Sequence, residues 1–342
     1  MEKIRFGKTE LQVSKIAFGG IPIQRLSHAD AVAVVRGVID LGVNFIDTAN
    51  GYTDSEVKIG AAIKAVPRDS LVIATKSGAK DKKTFLEHVD LSLKQLGTDY
   101  IDLYQLHGVS TSEGYDQVFA EGGAFEGLQE AVKAGKVRFP AFSSHSIPLS
   151  LKIMREGKFA AVQLPINYVD DEAAKEAIPL AQKLDIGFIA MKPFGGGLLS
   201  DAALSIKYLA QFDGIVPDPG IEKLSEMEEI VDIINAGAKL TSNDTAAIEA
   251  MKLELGARWC HRCDYCLPCP QNITISTVLA IESFIKRMPY SRVCGMAEAR
   301  MEAARNCIDC RMCIGRCPYN LDIPRLIKEK IGIWDKYMAE NS

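Results

Sequence analysis

Eight short runs of strand-like composition recur through the first two-thirds of the chain, at residues 16–20, 43–47, 71–75, 100–106, 137–142, 160–164, 186–190 and 214–217. Their starts lie 27, 28, 29, 37, 23, 26 and 28 residues apart. Amphipathic stretches such as 28–41 and 82–96 fill the intervals. A strand, a crossover helix and the return to a parallel strand need roughly 30 residues. The spacing therefore predicts eight strand–helix units closing into a (β/α)8 TIM barrel of the α/β class. A doubly wound sheet is the alternative, and it usually has fewer units. Ahead of the first unit, residues 3–6, Gly7-Lys8-Thr9 and residues 11–14 read as a hairpin placed to plug the barrel floor. The barrel pattern ends near Ala236, and Asn243 is the expected cap of one more helix over 245–255.

Composition removes other classes. With 342 residues, 47% hydrophobic and 25% charged, the chain is neither disordered nor a low-complexity scaffold. No stretch approaches the roughly 18 uninterrupted apolar residues of a membrane span. Met1-Glu2-Lys3-Ile4-Arg5 has no apolar signal core. A cytoplasmic location and no membrane partner are expected. Residues 1–255 carry a net charge of −8 and residues 256–342 one of +4. Neither has the basic excess of a nucleic-acid binder.

Barrel chemistry takes place at the C-terminal ends of the strands. Asp47 ends the second run, and Tyr52 follows in the loop; Lys76 ends the third and His107 the fourth. Neighbouring strands thus aim an acid, a phenol, an amine and an imidazole at one small volume. The physical logic is proton donation to a carbonyl. A free phenol, with a pKa near 10, is a poor acid at neutral pH. A nearby ammonium favours the phenolate and makes the phenol a better acid. Asp47 would hold Lys76 charged and in place, and His107 would bond the substrate oxygen. Taken singly, a strand-end Lys is usually a solvated charge, a strand-end Asp a helix cap, and a lone His structural; the joint pattern points to catalysis.

Asp47, Tyr52, Lys76 and His107, with their flanks, resemble the tetrad of the aldo-keto reductase family. The opening Phe6-Gly7-Lys8-Thr9 and Val13-Ser14-Lys15-Ile16-Ala17-Phe18-Gly19-Gly20 resemble that family's start. The similarity spans roughly residues 4–235. It implies a (β/α)8 fold, NADPH or NADH as cofactor, and interconversion of a small carbonyl and an alcohol with Tyr52 as general acid. It also implies that Ser143, Ser144 and Gln163 hold the nicotinamide carboxamide, although Ser144 stands where many members have Asn. Met191 takes the place of a tyrosine that stacks on the nicotinamide in many members. Pro193, Gly195 and Gly196 fit a loop passing close to pyrophosphate. Gly220 and Lys223 fall in the stretch that binds the adenosine. Lys223 is its only cation, which leaves NADPH against NADH open.

All nine cysteines lie at or after Cys260. Tight clustering without a secretory signal points to a metal site in a reducing compartment. The first run is Cys260-x2-Cys263-x2-Cys266-x2-Cys269-Pro270, the second Cys307-x2-Cys310-x2-Cys313-x3-Cys317-Pro318. Three cysteines at successive x2 spacing wrap three corners of a cubane, and the fourth, before Pro, reaches the other cluster. This resembles bacterial two-cluster ferredoxins over about residues 256–330. The resemblance implies two [4Fe–4S] clusters, one on Cys260, Cys263, Cys266 and Cys317, the other on Cys307, Cys310, Cys313 and Cys269. Zinc is the alternative, but structural zinc takes paired C-x2-C units. Cys294 belongs to neither run and reads as a buried free thiol. Residues 274–305, between the runs, are helical in pattern.

The expected organisation is thus a reductase-like barrel over 1–255 and a smaller, mainly helical 4Fe–4S ferredoxin-like domain over 256–342. The expected activity is reduction of an aldehyde or ketone, or the reverse. A nicotinamide moves two electrons as hydride, whereas a cluster passes one. Two other readings follow from that mismatch: a redox-coupling enzyme linking clusters to a flavin or nicotinamide, and a non-catalytic electron-transfer or regulatory module. A redox carrier protein is the further partner if the clusters carry current.

Overall fold

The computed structural model describes residues 1–341. All eight runs are strands, and all pair in parallel in chain order. After a hairpin of β1 (Lys3–Arg5) and β2 (Gln12–Ser14) come β3 (Ala17–Gly19), β4 (Phe45–Asp47), β5 (Val72–Ser77) and β6 (Ile101–Leu106). They are followed by β7 (Val137–Ser143), β8 (Ala161–Pro165), β9 (Gly187–Met191) and β10 (Ile215–Asp218). The last strand returns to the first: Gly19 N–H donates to Pro219 O at 2.8 Å, and Ile221 N–H donates to Gly19 O at 3.2 Å. The sheet is therefore a closed barrel, with helices such as His28–Asp40 and Lys82–Leu96 between strands. Ser27 and Asp81 cap these two helices by accepting from the backbone of Asp30 and Thr84.

Strand periodicity builds the interior in layers. Ala17, Phe45, Ala74, Leu103, Ala141, Ala161, Ile189 and Val216 form one apolar cluster inside the barrel. Side chains two residues on share the same face. The next layer toward the strand ends is therefore Gly19, Asp47, Lys76, Gln105, Ser143, Gln163, Met191 and Asp218. The hairpin closes the opposite end as expected: Phe6 joins the apolar cluster and meets Phe45 edge-on at 5.3 Å. A Cβ on Gly187 would fall 2.3 Å from the Phe6 ring, so only glycine lets the plug seat.

On the outer face, Asp102 ties three strands together. It is fully buried and accepts from Arg68 at 2.6 Å, Arg138 at 2.7 Å and the Ile73 backbone at 3.0 Å. Removing one partner of a buried ionic network strands the others. Asp102→Ala is expected to lower unfolding free energy by about 3 kcal/mol, read from the urea midpoint of the barrel transition.

The chain divides into two compact units, residues 1–194 with 201–239, and residues 195–200 with 240–341. Helix Ser242–Gly256, grouped with the barrel in the 1–255 division, falls in the second unit. Its cap is Thr241, not Asn243, because Thr241 and Asp244 bond each other's backbone N–H in a capping box. The second unit is helical. Its core includes Ile275, Val278, Val293, Met301, Leu326 and Trp334. Helix Ile323–Asn341 buries Ile323, Leu326, Ile327, Lys330 and Trp334, the stripe of an amphipathic helix. Residues 274–305 carry the helices Ile275–Leu279, Ile281–Arg287 and Tyr290–Ala304.

Candidate active site and cysteine-lined hollows

The upper barrel layer is polar because each strand's inward alternation ends on a hydrogen-bonding residue. Asp47 and Lys76 form a buried ion pair, with side chains 3% and 2% exposed. Burying two charges is favourable only when their remaining valences are filled. Here Lys76 Nζ also donates to Thr48 O at 2.6 Å, and Asp47 Oδ1 accepts from Gln105 Nε2 at 3.2 Å. Lys76 stays charged: burial opposes the ammonium, but the Asp47 carboxylate above all holds its pKa above the ordinary value.

Tyr52 lies in the turn after β4, where its N–H donates to Ala49 O and its carbonyl accepts from Ser55. The Lys76 ammonium is 5.3 Å from the Tyr52 ring centroid. His107, just past β6, meets that ring edge-on at 6.0 Å. The structure thus brings all four predicted residues together.

Burial, then the charges of Lys76 and Lys80, push the His107 imidazole down to about 3. It is therefore neutral near pH 7, a hydrogen-bond partner and not an acid. The sign for stability follows. Between about 3 and 6.5 the unfolded chain binds this proton and the folded one does not. Stability is lost as pH falls through that window, by at most about 1.4 kcal/mol per pH unit. His107 keeps an exposed edge, so the observed slope should be smaller. Urea titrations of His107→Gln should show a shallower acid slope than wild type.

The predicted cofactor residues are distributed as follows. Ser143 is buried at the end of β7, and its Oγ accepts from Gly108 N–H at 3.0 Å. Ser144 Oγ accepts from Ser146 N–H at 3.0 Å. Gln163 Nε2 donates to Asp218 Oδ2 at 2.8 Å and to Asp47 Oδ2 at 3.3 Å. Its Oε1 is buried with no hydrogen-bond partner. Met191 pairs in register with Asp218, and Pro193 is buried. Gly220 bridges to Gly19. Lys223 is exposed at the head of helix Leu224–Asn235, where Glu226 accepts from the backbones of Glu222 and Lys223.

Gly195 and Gly196 fall in the second unit, both at positive φ. A Cβ there would lie 2.2 Å from the Trp259 ring and 2.3 Å from Ser283 Oγ, respectively. Ser283 Oγ–H donates to Gly196 O at 3.0 Å, and Lys286 Nζ donates to Gly197 O at 2.9 Å. Sequence reasoning missed Gln105 and Asp218. Strand alternation was the available signal, because both stand two residues past an apolar inward position. It also missed Lys192, held at positive φ just past β9 with its ammonium 2.6 Å from His145 Nε2.

The cysteines ring two hollows. One is bordered by Cys266, Cys269, Cys307, Cys310 and Cys313. The other is bordered by Cys260, Cys263, Cys266 and Cys317. Among the described residues no three Cys, His, Asp or Glu side chains converge on a single ion-sized point. The two loops repeat one backbone. Arg262 and Asp264 flank Cys263 at positive φ, as Asp309 and Arg311 flank Cys310. Asn272 and Asn320, each three residues past the fourth cysteine, are also left-handed, and each donates its N–H to that cysteine's carbonyl. Asn and Asp enter this region readily, whereas Arg262 and Arg311 pay roughly 1–2 kcal/mol each, and that matched pair of strained positions marks a functional loop. Burial pushes the Cys260 thiol up to about 11 and the Cys266 thiol up to about 12. Bare thiolates here are costly without a cationic core. Cys294 is half-buried, with Met338 Sδ 3.9 Å from its sulfur.

Residues 15–211 match the Aldo/keto reductase family, and residues 259–322 match a 4Fe-4S dicluster domain. The L-galactose dehydrogenase of Arabidopsis thaliana is 30% identical over 214 residues, 57% of this chain and 66% of that protein. A probable aldo-keto reductase 1 of Glycine max is 28% identical over 58% of this chain and 60% of its own. The chain thus spans somewhat under two-thirds of these relatives. Among solved structures, the holo form of aldo-keto reductase AKR11C1 from Bacillus halodurans superposes with a TM-score of 0.62 at 24% identity, covering 73% of this chain and 96% of that one. An aldo-keto reductase from Klebsiella pneumoniae, in complex with NADPH, gives 0.62 at 20% identity over 73% and 95%. These structures share the barrel fold. With the matched segment covering more than half its length, the chain belongs to the aldo/keto reductase family of oxidoreductases and carries a C-terminal 4Fe-4S dicluster domain.

Proposed function

We propose that the protein reduces a small aldehyde or ketone to an alcohol, reversibly and with NAD(P)H, using Tyr52 as general acid. The observation that carries this reading is the buried Asp47–Lys76 ion pair set 5.3 Å from the Tyr52 ring. A bound reduced nicotinamide would supply the hydride. The unpartnered Gln163 Oε1 suits a carboxamide N–H, and Ser143, whose oxygen already accepts from Gly108, still has its own O–H to donate. Within the barrel unit, Ser144, Met191, Pro193, Gly220 and Lys223 would complete the dinucleotide site. Glu222 and Glu226 beside Lys223 make a poor seat for a 2′-phosphate, so NADH is the better fit.

The chain's own groups do the proton work. Lys76, kept charged by Asp47, favours the Tyr52 phenolate and so eases transfer of the phenolic proton to the substrate oxygen. Neutral His107 hydrogen-bonds that oxygen and sets its angle.

In the second unit, we assign Cys260, Cys263, Cys266 and Cys317 to one [4Fe–4S] cluster, and Cys307, Cys310, Cys313 and Cys269 to the other. The grouping around the two hollows supports seven of these places, and Cys266, which lines both hollows, is placed by its spacing from Cys260 and Cys263. Each cluster with four thiolates carries about 2−, so a pair balances the +4 of residues 256–342. Cys310 is exposed, between the exposed Ile308 and Met312, which would let a one-electron carrier protein reach that cluster.

Anaerobically purified protein is expected to contain about eight iron and eight sulfide and to oxidise NADH or NADPH with aldehydes from a broad panel. Cluster-replete protein that neither binds nicotinamide nor turns over any carbonyl overturns the reading.

A further inference from the structure

Asp218 shares the upper barrel layer with Asp47 and has no part in the mechanism above. It ends β10 and is 8% exposed. Gln163 Nε2 bridges the two carboxyl groups, at 2.8 Å from Asp218 Oδ2 and 3.3 Å from Asp47 Oδ2. Asp218 Oδ1 is buried without a hydrogen-bond partner. It lies 3.0 Å from where a Cβ on Gly19 would stand, so glycine there makes room for the acid. The layer thus encloses two carboxyl groups and one ammonium. Two carboxylates in contact repel, and one proton between them removes that cost.

The surroundings settle where the proton goes. Burial and then Asp47 drive the Asp218 carboxyl well above the ordinary carboxylate range, with Lys76 pulling the other way. Asp47 on β4 and Lys76 on β5 are the charged groups that act on it. Gln163 on β8, Gly19 on β3 and Met191 on β9 are neutral.

We propose that Asp218 is a positioning residue of the carbonyl reduction, an inference that rests on the function proposed above. Neutral and hydrogen-bonded to Asp47, it pins the NH2 of Gln163 between two acids. The Gln163 oxygen is thereby left uncommitted, and the Lys76 ammonium answers to a single carboxylate. Loss of the Asp218 proton to solvent adds a negative charge beside Lys76. That charge offsets the ammonium, so Tyr52 keeps its proton to higher pH and reduction persists there.

Asp218→Asn copies the neutral acid in shape but never ionises. In the full-length, cluster-replete protein, kcat for reduction at pH 6 should stay within about twofold of wild type. The alkaline limb of the reduction profile should move down by about one pH unit, and alcohol oxidation should begin correspondingly lower. An unmoved limb, or an equal loss at every pH, marks a packing role and overturns the proposal.

A second measurement needs no variant. Infrared spectra of wild-type protein carrying 13C-labelled aspartate should show a protonated aspartic acid carbonyl band at pH 7. Its absence overturns the proposal as well. Because this band is read without turnover, failure of the carbonyl-reductase reading and failure of the Asp218 assignment are distinguishable.

Discussion

Tyr52→Phe is expected to lower kcat/KM for NAD(P)H-dependent carbonyl reduction by about 10²–10⁴-fold, the usual span of a lost general acid. The substitution removes one oxygen and keeps the ring. The contacts that hold the ring in place, 5.3 Å to the Lys76 ammonium and 6.0 Å to the His107 ring, involve its face and edge and should survive. Far-UV dichroism, cluster absorbance and nicotinamide affinity should therefore match wild type. No neighbour can substitute for the lost proton. His107, held down to about 3, carries none to give at neutral pH. Lys76 has its proton held more firmly than a free amine because Asp47 stabilises the ammonium. A variant that reduces aldehydes at the wild-type rate would place the acid elsewhere and remove Tyr52 from the reaction.

The barrel and its tetrad were legible in the sequence because both obey short-range rules. Strand starts every 23 to 37 residues leave few parallel topologies, and chemistry in such a barrel collects at strand ends. What the sequence concealed is set by packing across the barrel. Gln105 lies in the middle of an apolar run, and only the inward position of Leu103 shows that it shares a layer with Asp47. Asp218 sits between two prolines and reads as a loop acid until β10 closes against β3. The glycines at 195 and 196 signalled a close approach. The sequence could not say that Trp259 and Ser283 are what come close. The cysteine runs were readable because their spacing is itself the ligand geometry. Their matched left-handed arginines were not, since Arg rarely adopts positive φ without tertiary help.

Removing the iron anaerobically should unfold the second unit and leave the barrel standing. Without the clusters, eight cysteines border hollows that Ile275, Ile323 and Ile327 also line. Water entering there reaches the core that holds Val278, Leu326 and Trp334. The left-handed Arg262 and Arg311 lose the bonds that offset their strain, and binding energy that is folding energy goes with the metal. Two thermal transitions should become one, with loss of the helical signal of residues 275–341. Asp47, Tyr52, Lys76 and His107 all lie in the barrel unit, so kcat should hold within about twofold, there being no change at the proton donor. Steady-state kinetics of chelated protein separate the readings. An intact kcat makes the clusters a staple of their own unit, whereas a collapsed kcat with nicotinamide affinity preserved means that electrons must pass through them.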